Sequence, residues 1–240
     1  MEGHNLIAID PALASRTYFY SWHMNGPSIT DAAAVLALDL GWSFIAVGDY
    51  TGDRIDDILW QNAAGHVVGW NMDGRAIAGT HSLAVLGAEW SIAATGDFTG
   101  DGKDDFLWRR DDGATVIWEM STGAIASAVN TSAHAGTDWR MAGVGDANGD
   151  GYDDIVWMHD NGTVALWHMD GEIVVSSGAI GGVDPADWQI VELGDYNGDG
   201  RIDILFQNSS TGALFAWMLD GFVIDSAGFI GTPGAGYELI

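Results

Sequence analysis

The sequence predicts an all-β fold, a five-bladed β-propeller of four-stranded antiparallel blades, and three observations predict it. Tryptophans recur in columns at a period of 48–50 residues, an acidic glycine-rich loop recurs in step with them, and each repeat divides into four short runs. These runs are bounded by turn residues and rich in β-branched and aromatic side chains, the pattern of strands. One column is Trp42, Trp90, Trp139, Trp188 and Tyr237, and a second is Trp22, Trp70, Trp118, Trp167 and Trp217. With Trp60, Trp108, Trp157 and Phe206 as the third, the columns hold all 12 tryptophans of the 240-residue chain.

The repeat that begins at Trp42 shows each element in order. A W-x-Φ-x-x-Φ-G-D run leads into the acidic loop, followed by Asp57 to Trp60, a turn at Gly65, His66 to Met72, the Asp73-Gly74 turn and a weaker run from Ala76 to Leu86. Around Trp70 the alternation is two-fold, with Val68, Trp70 and Met72 on one face and Val67, Gly69 and Asn71 on the other. Four strands in a repeat of this length match a propeller blade, whereas a solenoid would need helices or unbroken parallel coils. The tryptophans are expected to fill the wedges between blades, burying roughly 150–250 Å² each.

The expected organisation is a single domain, 1–240. Its blades are 42–87, 88–136, 137–185, 186–234, and a fifth made of 235–240 plus 5–41. The acidic loop occurs four times, and Asn5 to Ile9 looks like a degenerate form of the run that follows it. The fifth blade is therefore expected to be closed by the N- and C-terminal strands. Tyr237 to Ile240 would be its innermost strand, and residues from about Asn5 to Ala34 the other three. Closure of this kind removes exposed strand edges. The rival is a ring of more blades, completed by other segments or by a second chain.

Composition narrows the function. A formal charge of −26, from 34 acidic and 8 basic residues, repels phosphate backbones and anionic bilayers, so neither nucleic acid nor membrane insertion is expected. No cysteine is present, which excludes disulfide staples and thiolate metal sites. Met1 to Asp10 lacks the basic region and long apolar run of a signal peptide. The seven histidines show no metal-ligand spacing such as H-E-x-x-H, and each is expected to be a surface or strand residue. Glu192, on an inner strand, is the one candidate for a glycosidase-type acid; a tolerated rim charge is the simpler reading. No catalytic set appears, so the chain is read as a non-enzyme.

Metal binding is where the acids point. The loops run 49–57, 97–105, 146–154 and 195–203, and they hold 15 of the 34 acidic residues. Oxygen-bearing side chains stand at positions one, three, five and nine of each. These are Asp49, Thr51, Asp53 and Asp57; Asp97, Thr99, Asp101 and Asp105; Asp146, Asn148, Asp150 and Asp154; Asp195, Asn197, Asp199 and Asp203. Position seven (Ile55, Lys103, Tyr152, Arg201) would add a backbone carbonyl. Calcium takes six to eight such oxygens in forgiving geometry, while magnesium prefers fewer and keeps its water. Three carboxylates per loop would repel one another without a cation, so about four Ca²⁺ ions are expected. Position six is Gly102, Gly151 and Gly200 but Arg54 in the first loop, which is therefore expected to be the weakest site.

The run G-D-Y-N-G-D-G-R-I-D-I-L-F at Gly194 to Phe206, with its three sister segments, resembles the FG-GAP/VCBS repeats of integrin-type propellers and many bacterial secreted proteins. The W-x-M-D-G run at Trp70 to Gly74, repeated at Trp167 to Gly171, looks like the bacterial branch. This resemblance implies a calcium-stabilised propeller, extracellular or at the cell surface, acting as a recognition or adhesion module for a glycan or protein ligand. It does not name that ligand. The chain itself would be a monomer or weak oligomer. The variable residue of the second column (His23, Asn71, Glu119, His168, Met218) is a candidate for tuning lectin-like pockets, or simply faces solvent. A structural spacer in a larger secreted protein is the alternative, and a glycoside hydrolase-like enzyme the lesser one.

Overall fold

The computed structural model describes residues 5–10, 16–25, 28–39, 41–74 and 76–233, with side chains from residue 41 onward. All of its regular structure is β. A three-stranded sheet holds β1 (Asn5–Asp10), β2 (Arg16–Asn25) and β3 (Ser28–Asp39). Four four-stranded sheets follow. They are β4 (Trp42–Gly48) to β7 (Ala76–Val85), β8 (Trp90–Gly96) to β11 (Ala124–Asn130), β12 (Trp139–Gly145) to β15 (Ile173–Gly182), and β16 (Trp188–Gly194) to β19 (Val223–Gly231). Within every sheet the strands are neighbours in chain order, and the registered pairs are antiparallel, so each sheet is a simple meander. The expected innermost strand of a fifth blade, Tyr237 to Ile240, lies outside the described residues.

The chain divides into two compact units, one drawn from 1–90 with 120–126, the other from 91–119 with 127–240. In the first unit the core gathers Ile58, Trp60, Trp70 and Met72, with Trp42, Val68 and Ile77 packed on it. In the second, two cores alternate through the sheets. Phe98, Leu107 and Ile117 meet Ile155, Trp157, Ala165 and Met169. On the opposite face, Val156, Val164 and Leu166 meet Ile204, Phe206, Trp217 and Leu219. The sheet β12–β15 is thus covered on both faces by its sequence neighbours, and this face-to-face succession of meanders is propeller-like.

Two-sided burial explains why the second strands read as continuous apolar runs. In β13 (Asp154–His159) the first five residues are all buried, as both faces meet a core. The tryptophan columns pair diagonally across adjacent strands. Ring centroids are 5.0 Å apart for Trp60–Trp70, 4.9 Å for Trp108–Trp118, 5.0 Å for Trp157–Trp167 and 4.7 Å for Phe206–Trp217. Their tilted geometry is the favoured one for paired π systems. Opening strands of three sheets carry a bulge, between Phe44 and Ala46, Met141 and Gly143, and Ile190 and Glu192. A bulge bends the strand and increases its twist just before the acidic loop.

Candidate functional site

All four acidic loops lie at the same place, between the first and second strands of a four-stranded sheet. Their position-one aspartates cap the turn. Asp49 accepts hydrogen bonds from the amides of Gly52, Asp53 and Arg54; Asp146 accepts from Gly149, Asp150 and Gly151, and Asp195 from Gly198, Asp199 and Gly200. For Asp195 these amides hold the carboxyl below its ordinary pKa. The position-five oxygens take the amide two residues on, Asp53 from Ile55, Asp101 from Lys103, Asp150 from Tyr152 and Asp199 from Arg201. Both sets are short local bonds of the kind aspartate makes in turns.

Position nine behaves differently. Asp57, Asp105, Asp154 and Asp203 are fully buried. Three of them reach the third strand of their own sheet, accepting from the amides of Met72 at 2.8 Å, Met169 at 2.9 Å and Leu219 at 2.9 Å. The second oxygen returns to the loop, from Asp105 to the Thr99 amide and hydroxyl, from Asp154 to the Ala147 amide and from Asp203 to the Tyr196 amide. Burial is the main cause that raises Asp57 to about 6 and Asp154 to about 7. The loop-mates Asp53 and Asp49, and Asp150 and Asp146, push in the same direction.

The donor set suits a hard cation. It is oxygen only, it concentrates negative charge, and the buried Asp57 Oδ2 and Thr51 Oγ1 have no hydrogen-bond partner outside their own pair. The side chains do not form a closed cage. Among the described residues no three acidic or histidine side chains converge where they would hold a metal. The aspartates at positions one and five turn onto backbone amides. In two loops an internal cation also meets position five, Lys103 on Asp101 and Arg201 at 3.6 Å from Asp199. A metal in these loops would have to share, or replace, those partners.

Three features were not read from the sequence. Within the unit of 91–119 and 127–240, each loop is a joint between sheets. The Asp97 carbonyl accepts from the Asp153 amide and the Asp146 carbonyl from the Ile202 amide, both at 2.9 Å, so position eight of one loop docks on position one of the preceding loop. Position two is used as well, Phe98 accepting from Gly171 and Ala147 from Gly221, both glycines of the turn before the last strand. The Asp153 carboxylate also takes the Asp97 amide, and burial raises it to about 6.

Two of the G-D glycines, Gly96 and Gly145, make room for this joint. A Cβ on Gly96 would stand 2.4 Å from Asp153 Oδ2, and one on Gly145 2.4 Å from Ile202 Cγ2. His168 is the third feature, a strand residue as expected but a buried one. Its Nε2 lies 3.9 Å from Asp154 Oδ2, its ring rests 4.1 Å from Phe222, and burial lowers its pKa. The sequence signal was present only as a repeat period; which side chains cross from one repeat to the next is not periodic information.

Glu192 is exposed and sits beside Tyr196, whose hydroxyl is pushed up to about 12 by burial and by Glu192. No helix among the described residues is long and apolar enough to cross a membrane.

Comparisons with known proteins find similar solved structures and one family model. No curated protein matches the chain. Among solved structures, a mutant Tc holotoxin pore from Photorhabdus luminescens superposes with a TM-score of 0.55 at 11% identity, over 91% of this chain and 13% of that one. The WD40 domain of SCAP from fission yeast gives 0.44 at 11% identity, over 88% of this chain and 51% of that one. This chain therefore spans only a part of either protein. The family model described as an FG-GAP-like repeat matches residues 97–157 and again 146–206, two overlapping windows that each run from one acidic loop to the strand after the next. Residues 97–206 are thus similar to FG-GAP-like repeats.

Proposed function

We propose that this chain is a calcium-stabilised five-bladed propeller that serves as a non-catalytic recognition or adhesion module, extracellular or at the cell surface, for a glycan or protein ligand. The observation that carries the reading is electrostatic. Buried position-nine carboxylates are raised to about 6 and about 7, chiefly by burial and further by the aspartates of their own loops, a crowding of charge that a divalent ion at the loop offsets. The second supporting observation is mechanical. Two of the three loops in the larger unit, 97–105 and 146–154, join two sheets through backbone bonds at positions one and two, so an ion held there stiffens the joint. The four loops take about four Ca²⁺ ions, and the FG-GAP-like repeats at 97–206 support the module reading.

Calorimetric titration of chelator-treated protein with calcium tests the metal, read alongside the melting temperature. Saturation at about one hundred times Kd stabilises by about 2.7 kcal/mol per site. A melting temperature unchanged by calcium and by chelator defeats the metal reading. A glycan array run with calcium and with chelator tests the recognition role; calcium-dependent hits support it, and a blank array favours the spacer.

A further inference from the structure

We propose that the fourth four-stranded sheet carries a binding site for a small organic cation, a quaternary alkylammonium, in an aromatic cavity next to the loop that precedes β16. The inference deepens the recognition reading above and rests on it, but it does not depend on the metal.

The cavity measures about 300 Å³, at the lower end of the range for small-molecule sites. Four rings wall it, Trp188 from β16, Phe206 from β17 (Asp203–Asn208), and Phe215 and Trp217 from β18 (Leu214–Asp220). Trp188 and Phe215 meet edge to face at 6.1 Å, and Phe206 and Trp217 tilt at 58°, so the rings stand as walls at steep angles rather than as one stack. The segment 182–184 closes one side, and its Asp184 is the only charged side chain in the lining. Asp184 is exposed, and its Oδ1 accepts the Ala186 amide.

The neighbouring repeat shows a cation held against the equivalent ring of the column. The Arg109 guanidinium lies 5.0 Å from the centre of the Trp157 ring and donates to the Gly136 carbonyl at 2.9 Å. One period of 49 residues later, Phe206 replaces Trp157, Met158 replaces Arg109 and Asp184 replaces Ala135. No cation stands at the Arg109 position of this sheet, a carboxylate has appeared at 184, and Phe215 adds a ring where the earlier sheet has Ala165. Met158 is buried and accepts from Arg140, and neither residue lines the cavity.

Ligand chemistry follows from that exchange. A neutral sugar would bring several hydroxyls to a lining with one polar side chain and would leave them unpaired, at a cost. An anion would face Asp184 and a chain of net charge −26. An alkylammonium presents methyl groups to the rings, is attracted by their π faces and pairs with the carboxylate.

The probe is choline, titrated calorimetrically into calcium-loaded protein whose fold is checked by circular dichroism. The controls are 3,3-dimethylbutan-1-ol, its uncharged isostere, and N-acetylglucosamine. Choline is expected to bind at least about tenfold more tightly than the uncharged isostere. Asp184→Asn is expected to weaken choline by about tenfold with the melting temperature unchanged, and Trp188→Phe to weaken it less. A trimethyllysine peptide and free choline distinguish the sources. Comparable affinities support the small cation; a peptide bound about one hundred times more tightly overturns that assignment. Choline that fails to bind up to about 10 mM, an isostere that binds equally well, tighter binding of the sugar, or an Asp184→Asn variant with full choline affinity each overturn the site. Those failures leave the calcium titration of the loops untouched.

Discussion

The first and third acidic loops share a sequence pattern, yet the structure completes only one of them. In the loop 146–154 both oxygens of Asp154 are used, on the amides of Ala147 and Met169, and Asn148 ties its side chain to Asp150 at 2.9 Å. The position-six residue there is Gly151, at φ 89°. In the loop 49–57 the same conformation is forced on Arg54, at φ 68°, and the buried Asp57 Oδ2 and Thr51 Oγ1 have no partner beyond each other. A non-glycine residue in the left-handed region costs roughly 1–2 kcal/mol. A repeat can thus preserve its ligand pattern while one copy carries strain that another avoids.

The largest expected effect breaks the better loop. Asp154→Ala leaves two buried amides, Ala147 and Met169, without their acceptor and should cost roughly 2–5 kcal/mol in urea unfolding, whereas Asp57→Ala, which deprives Met72, should cost about half as much. Equal losses would show that the bonding of the third loop confers no advantage.

An intermediate effect is expected from pH. Asp57 and Asp154 are raised to about 6 and about 7, above the ordinary 3.8, so the folded state keeps their protons where the unfolded chain has released them. Stability without calcium is therefore fullest at low pH and falls as pH rises from about 4 to about 7. Melting in chelator at pH 5 and at about pH 7.5 checks the sign, and Asp154→Asn or added calcium should flatten the trend.

The smallest effect concerns the backbone. Arg54→Gly should stabilise by about 1 kcal/mol and tighten calcium at the first loop, and Gly151→Arg should do the reverse at the third. If the first loop of the unaltered protein fills before the others in a titration of single-loop variants, the ranking is wrong.

Much of the fold was legible because a propeller-like meander is a local object. Each sheet uses consecutive strands, so Trp42, Asp57, Trp60 and Trp70 mark its parts in chain order. The predicted boundaries came close; the run expected from Ala76 to Leu86, for example, is β7, Ala76–Val85. The candidate ligands were legible as a pattern; those at positions one to seven sit in the turn, and those at position nine open the following strand. Their present hydrogen-bond partners were not, because Asp154 bonds to Met169 across the sheet and Asp153 to the preceding loop.

Period, strand count, turn chemistry and the recurrence of acids were determined by the sequence alone, since each depends on residues close together along the chain. Only the tertiary structure decided that position nine is buried, that position eight docks on the preceding loop, that Arg109 lies over the Trp157 ring, and that Asp184 edges an aromatic cavity. Those outcomes depend on which backbone amides and rings face each other across neighbouring sheets. Stacking the sheets creates these pairings, and the repeat period carries no record of them.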